Sequence, residues 1–227
     1  MREPDEPAPP AKSVADIEHE LVNAFAAILG FSQVIRRDPS LPEELRQNAD
    51  LLIEEATRAR RLVRELLDVA AGRAPGPSSD AGNKRDSERH NEPGAVELVA
   101  RPRILVLDDE PSIRLYLERA LDLLGYEPHT ASNGADAVEL AIDGDHAALL
   151  FDHQMAGMSG AQAYEAVMAA RPDLAARCVL MSADVLDPDL EAIAATHPVT
   201  LLAKPFDLDT LDRTIRAVMD ATGQPRG

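Results

Sequence analysis

The chain reads as two folded parts. Residues 13–71 predict an α-helical hairpin that completes itself as a dimeric four-helix bundle, and residues 101–222 predict a doubly wound α/β domain with a five-stranded parallel sheet. Three observations carry this. The first segment repeats apolar positions at alternating steps of four and three, the period of a helical seam. The second alternates short apolar runs with amphipathic stretches five times, the order of a parallel β/α sheet. Between them, residues 72–100 change to Gly, Pro, Ser, Asn and mixed charge without a period, which predicts a flexible linker.

Residues 1–12 hold four prolines and several charges, the composition of a disordered tail. Ser13 with Asp16 gives an N-cap pattern, and a seam follows at Ile17, Leu21, Ala24, Ile28, Phe31 and Ile35. Asp38-Pro39-Ser40-Leu41-Pro42 stops that helix, and Ser40 with Glu43 predicts a capping box opening the next. The second seam is Leu52, Ala56, Ala59, Val63, Leu66 and Ala70, before Gly72. A short connection makes the helices antiparallel. Half of each apolar stripe then stays in water, so a homodimer is the expected completion.

In the second part the expected strands are residues 104–107, 126–131, 147–151, 178–181 and 199–203. The helices between and after them are 111–124, 135–142, 159–170, 188–195 and 208–221, and residues 223–227 form a tail.

Aromatic residues make up 3% of the chain and Trp is absent, so the cores must be built from Leu, Ile, Val and Ala. The formal charge of −17 falls mainly on the two folded parts, −5 over residues 1–71 and −11 over 101–227. Such a chain repels a nucleic-acid backbone and suits a metal cation instead. The lone Cys178 lies in an apolar run and reads as a buried small hydrophobe. The N-terminus lacks a basic start and an apolar core, and no stretch approaches the roughly 18 apolar residues of a membrane span. A cytoplasmic protein without membrane contact is expected.

Asp108 and Asp109 follow the first strand, Asp152 the third, Ser182 the fourth and Lys204 the fifth. In a parallel sheet all these ends share one edge. A single Asp after a strand is more often a turn or cap residue, but this conjunction is rare. Three converging carboxylates repel one another unless a hard cation such as Mg²⁺ sits among them, and Lys204 adds a fixed positive charge.

The segments Leu105-Val106-Leu107-Asp108-Asp109-Glu110, Leu150-Phe151-Asp152-His153-Gln154-Met155 with Gly160, Met181-Ser182-Ala183 and Lys204-Pro205-Phe206 resemble the receiver domains of two-component response regulators. The resemblance implies a flavodoxin-like fold, Asp152 as phosphoacceptor, and Mg²⁺ held by Asp109, Asp152 and the Gln154 backbone carbonyl. It also implies that Asp108 holds the ion partly through water, while Ser182 and Lys204 bind phosphoryl oxygens. Phosphoryl transfer needs such a set: an in-line nucleophile, with a metal and an ammonium group neutralising the equatorial oxygens. Two positions depart from the family. Ala156 stands where Pro is usual, and Leu201 stands where a Tyr or Phe commonly couples phosphorylation to output.

His19-Glu20-Leu21-Val22-Asn23, followed by Ala26-Ala27-Ile28-Leu29-Gly30, resembles the phosphoacceptor motif of histidine-kinase dimerisation domains. Relative to the seam, His19 and Asn23 fall together on the exposed face. Alone, such a histidine reads as a solvated surface residue. The resemblance implies His19 as acceptor, Glu20 as general base and Asn23 as a residue placing water, with Ala24 where Pro is usual. Histidine kinases follow the hairpin with an ATP-binding domain of roughly 100–150 residues, whereas residues 72–100 offer 29. The architecture looks like a hybrid histidine kinase without that domain, and phosphorylation from ATP by the chain alone is not expected. The leading expectation is a phosphorelay with a separate histidine kinase or phosphotransfer protein. A phosphatase for a receiver and a non-catalytic dimeric scaffold are the alternatives.

Overall fold

The computed structural model describes residues 14–70 and 101–223. The expected N-terminal tail, the Ser13 cap and the linker lie outside the described residues.

Two helices, α1 (Val14–Arg37) and α2 (Glu43–Ala70), form the hairpin. Ala49 and Ala56, two turns apart on α2, are buried, as is Leu29 on α1. The connection differs from expectation. Ser40 donates its N–H and hydroxyl to Asp38 Oδ1 at 2.9 and 2.6 Å, while Glu43 accepts from Arg46 and Gln47. The capping box expected between Ser40 and Glu43 does not form: α2 begins at Glu43, so Glu43 is its first residue rather than its third and Ser40 stands two residues before the N-cap position.

The seam is also divided differently. Ile17, Ile28, Leu52 and Leu66 are exposed in the single chain, the last at 69%. Phe31, expected in the same seam, instead meets Tyr116 edge to face at 6.1 Å on the other part of the chain. Helix α1 carries more than one apolar face, and a single-stripe reading could not separate them.

The second part is a five-stranded parallel sheet in the order β2-β1-β3-β4-β5, with β1 Arg103–Leu107, β2 Glu127–Ala131, β3 Ala148–Asp152, β4 Cys178–Ser182 and β5 Thr200–Ala203. Alternate residues of the central strands feed opposite layers. Ile104, Val106, Leu150 and Met181 pack with α3 (Pro111–Leu123) and α7 (Leu208–Ala221). Leu105, Leu107, Leu149, Phe151 and Leu180 pack with α4 (Gly134–Asp143), α5 (Gly160–Ala170) and α6 (Pro188–Thr196). The first layer also takes in Ala26, Ala27, Phe31 and Val34 of α1, so the hairpin closes over its α3 side. A 3₁₀ segment, Pro172–Arg177, precedes β4 and was not anticipated. Cys178 is buried, and that burial pushes its thiol pKa up. No described helix is long and apolar enough to cross a membrane.

At the sheet edge, His146 is buried and its Nε2 lies 3.1 Å from His129 Nδ1. Burial, then the nearby His129 and Arg103 charges, lower its pKa to about 4 from an ordinary 6.5. A histidine depressed in the folded state binds its proton preferentially when unfolded, so stability falls as pH drops through the window from 6.5 to 4. The wild-type chain should lose about 1–2 kcal/mol more than His146→Gln between pH 7 and pH 4.5. Urea unfolding of the two proteins at both pH values measures the difference.

Candidate functional site

The carboxyl ends of the strands meet where β1 and β3 lie side by side and their helices leave to opposite faces of the sheet. Asp108, Asp109 and Asp152 each bring a carboxylate oxygen to this edge, all within 4.8 Å of one another. Their local settings differ. Asp108 is fully buried; its Oδ1 accepts the Glu110 N–H at 2.9 Å and its Oδ2 accepts from Lys204 Nζ at 3.0 Å. Arg114 Nη1 donates to the Asp108 carbonyl at 2.7 Å. Burial pushes the Asp108 pKa up to about 6, with Lys204 opposing and Asp152 reinforcing the shift.

Asp152 is 1% exposed at the end of β3. Lys204 Nζ lies 3.0 Å from its Oδ2, yet among the described residues neither carboxylate oxygen has a well-aligned hydrogen-bond donor. Burial raises its pKa, against the lowering effects of Lys204 and then His19. Burial alone would drive the proton from Lys204, but the charges of Asp152 and Asp108 outweigh that effect and its pKa is raised. A buried ammonium between two carboxylates is held charged. Two donor-poor oxygens on a buried carboxylate, beside two further carboxylates, suit a hard cation and an incoming phosphoryl group.

The loop after Asp152 is tightly set. Gly160 opens α5 against it, where a Cβ would stand 2.8 Å from the Asp152 carbonyl carbon and 3.1 Å from His153 Cα. Ser159 caps α5 in a capping box with Gln162. Ala156 donates its N–H to Asp109 Oδ2 at 3.0 Å, a bond that proline, usual at this place in the receiver pattern, could not make. Ser182, fully buried at the end of β4, donates its hydroxyl to the Asp184 carbonyl at 2.8 Å and accepts the Asp184 N–H at 3.0 Å.

The hairpin completes the edge. A cleft of about 730 Å³ is lined by His19, Glu20, Asn23 and Ala24 of α1 on one side and by Asp109, Glu110, Ser112, Gln154, Met155 and Ala156 on the other. Asn23 Nδ2 lies 3.0 Å from His19 Nε2, and among the described residues the buried His19 Nδ1 and Asn23 Oδ1 have no hydrogen-bond partner. The expected exposed face of α1 is thus corrected: Asn23 is 6% exposed and His19 half-buried, because the receiver edge covers them. Arg114 and the Ala156 N–H escaped the sequence reading. An arginine at the start of a helix and a backbone N–H carry no residue-type signal, although the missing proline pointed to position 156.

Residues 104–216 match the response regulator receiver domain, and residues 11–75 match the His Kinase A (phospho-acceptor) domain. Over 125 residues the chain is 32% identical to the transcriptional regulatory protein PrrA of Mycobacterium tuberculosis, covering 55% of this chain and 53% of that protein. It is 27% identical over 118 residues to sporulation initiation phosphotransferase F of Bacillus subtilis, covering 50% of this chain and 90% of that one. The chain therefore spans only about half the length of PrrA. A CheY-like receiver domain protein from Methanospirillum hungatei superposes with a TM-score of 0.51 at 19% identity, covering 55% of this chain and 98% of that one, a likeness of fold. The chain belongs to the two-component signalling proteins, as a histidine-kinase phospho-acceptor hairpin joined in one polypeptide to a response-regulator receiver domain.

Proposed function

We propose that the chain exchanges a phosphoryl group between His19 and Asp152, and through them with a separate histidine kinase or phosphotransfer protein. The observation that carries this reading is the shared cleft, with His19 on one wall and the Asp109 and Gln154 edge beside Asp152 on the other. In the forward step an Asp152 carboxylate oxygen attacks phosphorus in line. The P–N bond to His19 breaks, and its electron pair returns to the ring. The imidazole leaves neutral when its other nitrogen carries the proton. Lys204 neutralises charge on the transferring oxygens from one side.

Asp109, Asp152 and the Gln154 carbonyl would hold Mg²⁺, with Asp108 acting partly through water since donors already engage both its oxygens. That ion would supply charge neutralisation for the transferring oxygens. Ser182 reaches a phosphoryl oxygen by turning its hydroxyl from the Asp184 carbonyl. Glu20 serves as general base when an external kinase phosphorylates His19.

One observation favours a second activity. The Asn23 Oδ1 is buried beside the cleft with no hydrogen-bond partner among the described residues, and could orient a water toward a phosphorylated Asp152, which is a phosphatase step. His19→Gln separates the readings. Label on Asp152 from acetyl phosphate should form within about twofold of wild type, and histidine label should vanish. Faster loss of the Asp152 label that persists in His19→Gln but disappears in Asn23→Ala would favour the phosphatase.

The exposed Ile17, Ile28, Leu52 and Leu66 support a homodimer through the hairpin. Replacing Leu52 and Leu66 together by Glu should convert a sedimentation dimer into a monomer at micromolar concentration, a loss of affinity on the order of 100-fold or more. A wild-type monomer would contradict the dimer.

A further inference from the structure

A second group of metal-ligating side chains stands away from the Asp152 edge, against the outer strand β2. His129 on β2 and His146, just before β3, turn ring nitrogens toward each other, with His129 Nδ1 3.1 Å from His146 Nε2. The two rings are nearly perpendicular, at 81°. Glu127, two residues before His129 on the same face of the strand, places Oε1 3.4 Å from the other His129 nitrogen, Nε2. Both histidines line a cavity of about 630 Å³ that α4 also lines through Asp136, Glu139 and Asp143. Along β3, His146 and Asp152 are about 20 Å of extended chain apart, so the two groups act on different ligands.

A carboxylate that accepts the Nε2 proton of His129 leaves Nδ1 as a lone pair turned to His146, the support found behind metal-bound histidines. Two imidazole nitrogens on one tetrahedral Zn²⁺, each about 2.0–2.1 Å from the ion, stand roughly 3.3 Å apart. The observed pair is within about 0.2 Å of that separation. A hydrogen bond between the rings is the competing account. In the tautomer that Glu127 supports, His146 then donates from Nε2, and its Nδ1 becomes a lone pair on a residue 1% exposed, with no hydrogen-bond partner among the described residues. An ion on Nε2 instead puts the ring proton on Nδ1. That atom and the Leu140 carbonyl oxygen lie 2.8 and 2.7 Å from the point where a Gly144 Cβ would stand, so an acceptor is close by.

We propose that His129 and His146, completed by the carboxylates of Glu139 and Asp143, form a site for a divalent d-block cation of the zinc class. Asp136 is already held by Asn133 Nδ2 at 2.7 Å, whereas Glu139 and Asp143 are exposed one turn apart on the same face of α4. The donor set selects the ion: imidazole with carboxylate suits Zn²⁺, while Mg²⁺ takes oxygen ligands. Arg103, 3.5 Å from Glu127 Oε2, opposes a cation, but it is one positive charge against four carboxylates around the cavity. A bound ion would tie β2 to the turn between α4 and β3, so thermal stability reports its presence.

The test is a calorimetric titration with Zn²⁺ of the full-length chain, stripped with EDTA and desalted, in excess Mg²⁺ that fills the Asp152 edge. Wild type should bind one zinc ion per chain and melt at least about 4 °C higher at saturating zinc. His129→Gln and His146→Gln should each weaken that binding at least about tenfold and remove the rise in melting temperature. His19→Gln should bind zinc as wild type does. The His129 side chain is 34% exposed, so His129→Gln keeps the fold even if His146→Gln loosens it. Zinc bound alike by wild type and both variants, zinc lost from only one of them, or no binding in the presence of Mg²⁺ would overturn the site and leave a hydrogen-bonded histidine pair.

Discussion

Asp152→Asn should carry no hydroxylamine-sensitive label after incubation with acetyl phosphate and Mg²⁺, a loss on the order of 100-fold or more. The amide that replaces the carboxylate is not a nucleophile and brings no charge to a cation. Neither neighbour can take over. Donors engage both oxygens of Asp108, and Asp109 accepts the Ala156 N–H through its Oδ2. The fold should survive the substitution, because Lys204 keeps its 3.0 Å hydrogen bond to Asp108 and the new side chain has nearly the same volume. Scintillation counting of acid-precipitated protein, with and without hydroxylamine, gives the answer. Undiminished labelling of Asp152→Asn would overturn the assignment of the acceptor.

The receiver was legible in the sequence because its period and its chemistry coincide. Apolar runs fed to both faces of a parallel sheet leave little choice of register, and the residues at the strand ends fall on one edge by topology alone. Asp108, Asp109 and Asp152 accordingly lie with carboxylate oxygens within 4.8 Å of one another, Lys204 Nζ stands 3.0 Å from Asp152 Oδ2, and Ser182 ends the neighbouring strand β4. The strands differ from expectation only at their ends, as with Tyr126, which packs into the core beside β2.

The hairpin was legible as two helices but not in its surroundings. A four-three period finds one stripe, whereas α1 meets the receiver through Ala26, Ala27, Phe31 and Val34, buries Leu29 outside that core, and meets water through Ile28. Which face meets which partner depends on tertiary contacts that periodicity does not encode. The burial of Asn23 follows from the same cause. Ser40 is not the cap because α2 starts at Glu43, two residues later than the four-residue pattern places it, and Ser40 turns its donors to Asp38 instead. Gly30 looked like an ordinary member of a motif. Without a Cβ it leaves room for the Tyr116 ring, 86 positions along the chain.

The central claim is transfer within one chain, and its second large effect belongs to His19. Protein labelled on Asp152 and freed of acetyl phosphate should gain alkali-stable, acid-labile label on histidine as the hydroxylamine-sensitive label declines. In His19→Gln that histidine label should be absent, a loss limited only by the detection floor. The argument is geometric. His19 stands across the cleft from the Asp109 and Gln154 edge. Both acceptors form high-energy phosphoryl bonds, so reverse transfer is detectable without a kinase. The measurement is a time course of the two chemical classes of label in wild type and His19→Gln. Histidine label that appears in wild type alone, at the expense of Asp152, is the result this account predicts. Label that leaves Asp152 only as inorganic phosphate, at the same rate in both proteins, would contradict it.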